Sequence, residues 1–420
     1  MKLLTAGTML PGPKGVRVEE AAVVVDETVI AYAGSASSVP AAIVEAIDDA
    51  VDFGPDATVL PGLIDSHVHL GFDGGPSPVA RMKSETDAEQ LVLMLRSARE
   101  LLSVGVTTAR DLGARAFLDV VVRDAIASGM ARGPRMITAG PPMTVTGGHC
   151  WFMGGECDDL EGVRHRVRLH HKMGVDLIKV MSTGGFMTEG SAPWFAQFTE
   201  EQLQAAVDEA HRVGKRVAAH AHGVEGIRRA LGAGVDTLEH CSFVHPDGTN
   251  TVDEDLVDRI VATGTYVCPT INYRIPAMMA ARGGGWEPAV KRLYDQGANI
   301  IAGTDSGIDN VPHYEYVGGL EALASLGLPN DEVLYAATVR AAEGLAIAGT
   351  TGRLAAGFDA DVIVVDGNPL DDIAALNELR MVMARGTEFA PDPVAHAAPG
   401  SIEMTNFMKT LASAPGAAPA

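Results

Sequence analysis

Four cysteines in 420 residues, Cys150, Cys157, Cys241 and Cys268, are too sparse to frame a disulfide scaffold, and none forms a CxxC pair. They read as the reduced thiols of a cytoplasmic protein. Basic residues are scarce as well: 32 Lys and Arg stand against 54 Asp and Glu, a formal net charge of −22, and no basic run occurs. Nucleic acid and anionic membranes are bound through Lys/Arg patches, so neither is expected as a partner. No stretch approaches the roughly 18 uninterrupted apolar residues of a membrane span. The opening MKLLTAGTMLPGPKG meets Pro-Gly without a small-residue cleavage site, and no signal peptide is expected. The first strand-like run is not followed by GxGxxG, which argues against an open doubly wound sheet.

What is present is material for a large core, with 47% hydrophobic and 20% charged residues. From residue 58 to 347, short apolar runs alternate with amphipathic helical stretches. The runs are ATVLPGLIDSHVHL, VTTARDLG, PRMITAG, VDLIKVM, KRVAAHAH, VDTLEH, TYVCPT and NIIAGTDSG. Helical stretches at 87–105, 199–214 and 253–264 start near a Thr or acidic cap and end in Gly. Eight β-then-α units predict an α/β fold, a closed (β/α)8 TIM-like barrel over residues 58–352. Residues 1–57 and 353–389 carry short β runs that could not bury a core separately. They are expected to join as one small β-sandwich domain, with residues 390–420 a mobile Pro/Ala-rich tail.

In such a barrel the chemistry sits at the C-terminal strand ends. His67 and His69 end the first run two residues apart, so one strand face presents both imidazoles. Lys179 sits in the fourth run, His220 and His222 end the fifth, His240 the sixth and Asp305 the eighth. Each has an ordinary alternative. A histidine pair can be hydrogen-bonded at the surface, a lysine can snorkel to solvent and an Asp can cap a turn. Their joint placement at strand ends is what points to a metal site. Spacing does not separate His220 from His222, since both lie on one face.

These segments are similar to the signatures of the amidohydrolase superfamily: PGLIDSHVHL at 61–70, AAHAHG at 218–223, GVDTLEH at 234–240 and GTDSG at 303–307. GRLAAGFDADVIVVDGNPL at 352–370 resembles the closing strand of the companion β domain, and the likeness spans roughly residues 5–388. The resemblance implies two divalent metals, with His67, His69 and Asp305 on one, His220 and His240 on the other, and Lys179, N6-carboxylated, bridging both. Zn²⁺ suits imidazole and carboxylate ligands best, with Mn²⁺ or Co²⁺ as alternatives. Hydroxide held between the metals would attack a carbonyl, with Asp305 as the catalytic proton carrier.

Within the superfamily, DLIKVMSTGG at 176–185 and TGGH at 146–149 resemble the dipeptidase and prolidase-like (carboxypeptidase-like) group and the hydrolases of ochratoxin-type amides. That likeness implies dipeptides or N-acyl amino acids with a free carboxylate as small-molecule substrates, and a homo-oligomer. His149, Tyr273 and Arg274 are the candidates to hold the carboxylate, although Arg274 also fits a surface salt bridge. Trp151, Phe152, Trp194 and Phe195 either line an apolar pocket or pack loops together. Histidines 165, 170, 171, 211, 245 and 313 fall in helical or loop sequence and read as surface residues. The competing activities are an imidazolonepropionase-like cyclic-amide hydrolase, a type with one metal and no bridging lysine, and a lactonase or phosphotriesterase using the same six ligands. A non-catalytic scaffold would be expected to have lost ligands, and none is missing here.

Overall fold

The computed structural model describes residues 1–282 and 286–394. The chain opens with β1 (Lys2–Met9), β2 (Val18–Asp26), β3 (Val29–Ser35), β4 (Asp49–Asp52) and β5 (Ala57–Pro61). Eight strands separated by helices follow: β6 (Leu63–Val68), β7 (Val106–Asp111), β8 (Arg135–Thr138), β9 (Ile178–Met181), β10 (Val217–Gly223), β11 (Thr237–Val244), β12 (Tyr266–Cys268) and β13 (Asn299–Ile300). The chain then returns through β14 (Val362–Asp366), β15 (Leu379–Ala384) and β16 (Thr387–Phe389). Residues 395–420 of the expected tail, His396 among them, lie outside the described residues.

Strands β6 to β8 form one parallel sheet and β9 to β13 another. Backbone hydrogen bonds cross between the two sheets on both sides. At one, Ser66 N donates to Ala302 O at 2.9 Å and Asp305 N to His67 O at 2.9 Å; at the other, Met143 N donates to Lys179 O and Met181 N to Met143 O, each at 2.8 Å. The helices between them start where side-chain caps satisfy the first N–H groups. Thr86 with Glu89 and Thr199 with Gln202 make reciprocal capping boxes at Asp87–Ser103 and Glu200–Arg212, and Asp253 caps Glu254–Thr263. Each such cap contributes about 1 kcal/mol.

The strands from the two chain ends form one continuous sheet in the order β16-β15-β14-β5-β1-β2-β3, with β4 on β1. Side-chain alternation uses both faces of β14. Val362 and Val364 pack in an apolar cluster with Leu4, Val23 and Val59, while Ile363 and Val365 join the core beneath the helices. The first apolar run therefore divides at Gly62: Ala57–Pro61 belongs to this sheet and Leu63–Val68 to the parallel strands. A Cβ at Gly62 would lie 2.0 Å from Thr107 Oγ1, so only glycine fits the crossing.

Two histidines read as surface residues are buried. His170 lies on the inward face of helix Leu160–Lys172 with Val163 and Val167, and both its ring nitrogens meet carbonyls, Arg166 O and Pro141 O. Residue type suggested exposure, whereas helical phase decided otherwise. His313, 0% exposed, places Nε2 3.2 Å from His69 O.

Candidate metal centre

Alternation along β6 brings His67 and His69 to one side, with ring centroids 5.3 Å apart. His240 from β11 lies 5.1 Å from His67 and 4.5 Å from His220 of β10. Asp305, five residues beyond β13, reaches between them. Its Oδ1 stands 3.4 Å from His67 Nε2 and 3.3 Å from His69 Nε2, and its Oδ2 4.0 Å from His240 Nδ1. Lys179 of β9 is 1% exposed and lines the same cavity. Three groups of donors converge closely enough to hold an ion: His67 with His69 and Asp305, His220 with His222 and His240, and, behind His67, His67 with Glu239 and Cys268. His222 thus joins His220 in the site, its Nδ1 2.7 Å from Ser242 Oγ.

The backbone is bent to achieve this. His240 and Asp305 have φ of +68° and +59°, and Cys241 beside His240 has +47°. Non-glycine residues in this left-handed region cost roughly 1–3 kcal/mol each, and such residues gather at functional sites. At Gly307, with φ +101°, a Cβ would lie 2.3 Å from His69 O, so the turn after Asp305 presses on the strand that carries the first histidines.

Protonation states follow from the surroundings. Burial and the nearby Lys179 charge push His67 down to about 4, burial and His222 push His149 to about 3, and burial pushes His222 to about 3. His220 and His240 fall well below the usual histidine value, again chiefly through burial. Burial likewise lowers the Lys179 ammonium, against the opposing pull of Glu239 and Asp305. Burial alone would raise Asp305, but His67 and His69 hold its carboxyl below the usual range. These five imidazoles, of His67, His149, His220, His222 and His240, are therefore neutral and the Asp305 carboxylate charged.

Hydrogen bonding then decides which nitrogen is bare. The Nδ1 of His67 lies 2.9 Å from the Glu239 carboxylate, which only accepts, so Nδ1 carries the proton and Nε2 a lone pair. Nδ1 of His69 lies 3.4 Å from Gly113 O. Asp305 Oδ1 thus faces the bare Nε2 of His67 at 3.4 Å, an arrangement that a cation completes. The donor set fits a divalent metal.

Behind His67 lies a buried network that sequence reasoning missed. Glu239 accepts from Arg110 Nη2 at 2.8 Å and Thr237 Oγ1 at 2.6 Å, and Arg110 Nε donates to Ser66 O at 2.6 Å. Burial opposes ionisation of Glu239, yet Arg110 and His67 hold it at about 2. Asp65 accepts from Thr304 Oγ1 at 2.7 Å and from His67 N, tying β6 to the Asp305 segment. The detectable signal was the one that singled out Lys179, a charge inside an apolar strand run.

The centre opens into a cavity of about 1040 Å³. His149 lines it, its ring 4.7 Å from that of His220 and its buried Nδ1 without a hydrogen-bond partner among the described residues. Arg274 also lines it. Rather than forming a surface ion pair, Arg274 is 7% exposed, with Nη1 on Asp309 O at 2.8 Å and Nη2 without a partner among the described residues. Tyr273 is not part of the wall; its hydroxyl donates to Asn310 O at 3.0 Å. Trp151, Phe152, Trp194 and Phe195 also stand off the wall and pack edge-on in pairs, Trp151 with Phe152 and Trp194 with Phe195. The apolar lining comes from residues such as Phe186, Met278 and Trp286.

Among known proteins, the chain is similar to the ochratoxinase of Aspergillus niger, 29% identical over 426 aligned positions that cover 90% of this chain and 84% of that protein. The crystal structure of that enzyme superposes with a TM-score of 0.80, at 28% identity over 92% of this chain and 95% of the other. A Xaa-Pro dipeptidase crystallised with methionine in its active site gives 0.81 at 29% identity, over 92% and 99% of the two chains. The profile of the amidohydrolase family matches residues 58–388. With the family's sequence pattern running through the strands that carry these ligands, the protein belongs to the amidohydrolase family.

Proposed function

We propose that the protein is a binuclear metal-dependent hydrolase that cleaves the amide bond of dipeptides or N-acyl amino acids bearing a free C-terminal carboxylate. Xaa-Pro, Xaa-Arg, hydrophobic and ochratoxin-type amides fall within this class. The observation that carries the reading is the convergence of six side chains: His69, Lys179, His220, His240 and Asp305 line one cavity, and His67 stands behind them 3.4 Å from Asp305. The frame we infer is a (β/α)8 barrel over 58–352 with a small β-sandwich domain from 1–57 and 353–389; the hydrogen bonds joining the two parallel sheets on both sides support the barrel, and the single sheet shared by both chain ends supports their union in one domain.

In this reading His67, His69 and Asp305 hold one metal and His220 and His240 a second, with Zn²⁺ preferred. Lys179, as a carbamate, would help hold both, because a buried lysine with a lowered pKa offers the neutral amine that takes up carbon dioxide. Bound there, two divalent ions would supply an acidified water and polarise the scissile carbonyl. Asp305 then accepts the water's proton and delivers it to the leaving nitrogen. The unpartnered Nη2 of Arg274 and Nδ1 of His149 are placed to meet the substrate carboxylate. Four buried, unpaired cysteines suit a cytoplasmic setting, and no helix among the described residues is long and apolar enough to cross a membrane. A homo-oligomer is part of the same reading.

The test is amine release by zinc-loaded enzyme, prepared with bicarbonate, from dipeptides and N-acyl amino acids offered as free acids and as C-terminal amides. Cleavage confined to the acids is the expected result; equal cleavage of both removes the carboxylate role from Arg274 and His149. Asp305→Asn is expected to abolish turnover with its metal content unchanged, and full activity in that variant would end the mechanism. Turnover of lactones or phosphotriesters alone would keep the metals and change the activity.

A further inference from the structure

We infer that the substrate's nitrogen side is a carboxylate-bearing amino acid and its acyl side a bulky apolar group without a free ammonium, so that N-acyl amino acids are preferred to dipeptides. This rests on the amide-hydrolase reading and narrows it. The first observation is size. At about 1040 Å³ the cavity lies at the top of the roughly 300–1,000 Å³ range of sites that enclose drug-sized ligands. A dipeptide of small residues would leave most of that volume to water.

The second is wall chemistry. Away from the metal ligands, Ile275, Met278, Trp286 and Val290 line the cavity from the segment that follows β12, with Phe186 and Met187 also in the wall. These surfaces gain by covering apolar groups.

The third is the balance of charge. A dipeptide carries an ammonium one carbon from the scissile carbonyl, and burying it without an anion is costly. Among the described residues that line the cavity, the carboxylates are Asp305, Asp309 and Glu189. Asp305 is engaged with His67 and His69, Asp309 lies beside the Arg274 charge, and Glu189 is exposed. The cations Lys83, Arg274 and Arg282 line the same cavity. The Arg282 guanidinium stands 5.4 Å from the Trp286 ring centroid, and Lys83 lies over Phe152 at 4.7 Å. Outside Asp305 the lining thus sets three cations against two carboxylates, one of them exposed and the other beside Arg274, a balance that suits one carboxylate and a large apolar body better than an ammonium. Hydrolysis breaks the C–N bond, water giving its hydroxyl to the acyl carbon and a proton to the amino acid nitrogen.

The experiment compares kcat/KM of the zinc-loaded full chain on four phenylalanine derivatives, each made also with proline and with arginine in place of the phenylalanine leaving group. They are Phe-Phe, 3-phenylpropanoyl-Phe, N-acetyl-Phe and 2-naphthoyl-Phe; the first two differ only in the α-ammonium. The desamino compound is expected to exceed the dipeptide by at least about tenfold, and the naphthoyl compound to exceed the acetyl one. Met278→Trp, which narrows the apolar lobe, is expected to reduce the naphthoyl-to-acetyl ratio. A dipeptide cleaved as well as its desamino partner, or a ratio unchanged in the variant, overturns the inference while leaving amide hydrolysis in place. Silence on the whole panel overturns the amide-hydrolase reading itself.

Discussion

The Glu239 carboxylate illustrates how much of this centre is set by residues that need touch no ligand. It fixes the His67 proton on Nδ1, and Arg110 keeps it ionised. Partners of this kind typically contribute 10–100-fold to metal affinity. Glu239→Gln is therefore expected to weaken zinc binding by about 10–100-fold, read by competition with a chromophoric chelator on protein whose fold is checked by circular dichroism. It also leaves Arg110 buried without its partner, which costs about 3–5 kcal/mol. The double variant Arg110→Met, Glu239→Gln should recover stability without recovering affinity. Equal zinc affinity in all three proteins would reduce Glu239 to a packing role. At this scale the sequence was readable where strand ends carried unusual polar groups. It was less readable for His170, whose burial depends on helical phase, and for Arg274, whose burial depends on a loop contact with Asp309 O.

Among the elements, the short ones govern the site. β13 pairs over Asn299–Ile300 only, and the rest of the run NIIAGTDSG is held by bonds to Ser66 N and His67 O of β6. A one-dimensional pattern shows an apolar run ending in Asp and gives no hint of that change of partner. Gly307 closes the turn. Gly307→Ala adds a Cβ against His69 O at a φ that disfavours it, so a loss of about 1–3 kcal/mol is expected in urea denaturation, together with weaker zinc binding. Unchanged values for both would mean that the turn relaxes without moving His69. The large sheet makes a contrasting case. Ile363 on β14 is 0% exposed in the core beneath the helices and is not part of the cavity wall. Ile363→Ala should cost about 2–5 kcal/mol in the same assay, with kcat/KM unchanged at temperatures where the variant stays folded. Helix limits were legible because their caps are local, as at Thr86, Thr199 and Asp253. The division of the first run at Gly62 was not, because it depends on β1 and β14, which lie far away in sequence.

For the molecule as a whole, the buried histidines set the response to acid. Seven of them have a folded pKa below the unfolded value of about 6.5, as with His67 near 4 and His149, His222 and His313 near 3. Between those values the unfolded chain binds more protons than the folded one, so this contribution to stability is complete above about pH 6.5 and is lost as the pH falls toward 4. Asp65 and Asp119, raised by burial to about 7 and about 6, and Asp111, Glu100 and Asp309, also raised by burial, act in the opposite sense across part of the same window. His170, His220 and His240 are also lowered, and the histidines outnumber the carboxylates. The metal-free protein should therefore lose stability from pH 7 to pH 5, seen as a falling urea midpoint; a midpoint that rises would show the carboxylates in control. The division of the chain carries a consequence for biosynthesis too. β5 runs into the strand of His67 and His69 through Gly62 alone, and one of its two neighbours, β14, begins at Val362. Every ligand side chain thus leaves the ribosome before the strand that braces the first two. On the proposed ligand set, metal reaching a nascent chain in that interval would meet histidines not yet held in register, so loading is expected after the last strands emerge. A chain arrested at residue 352 would possess all the proposed ligands and still lack the strand that braces the first two.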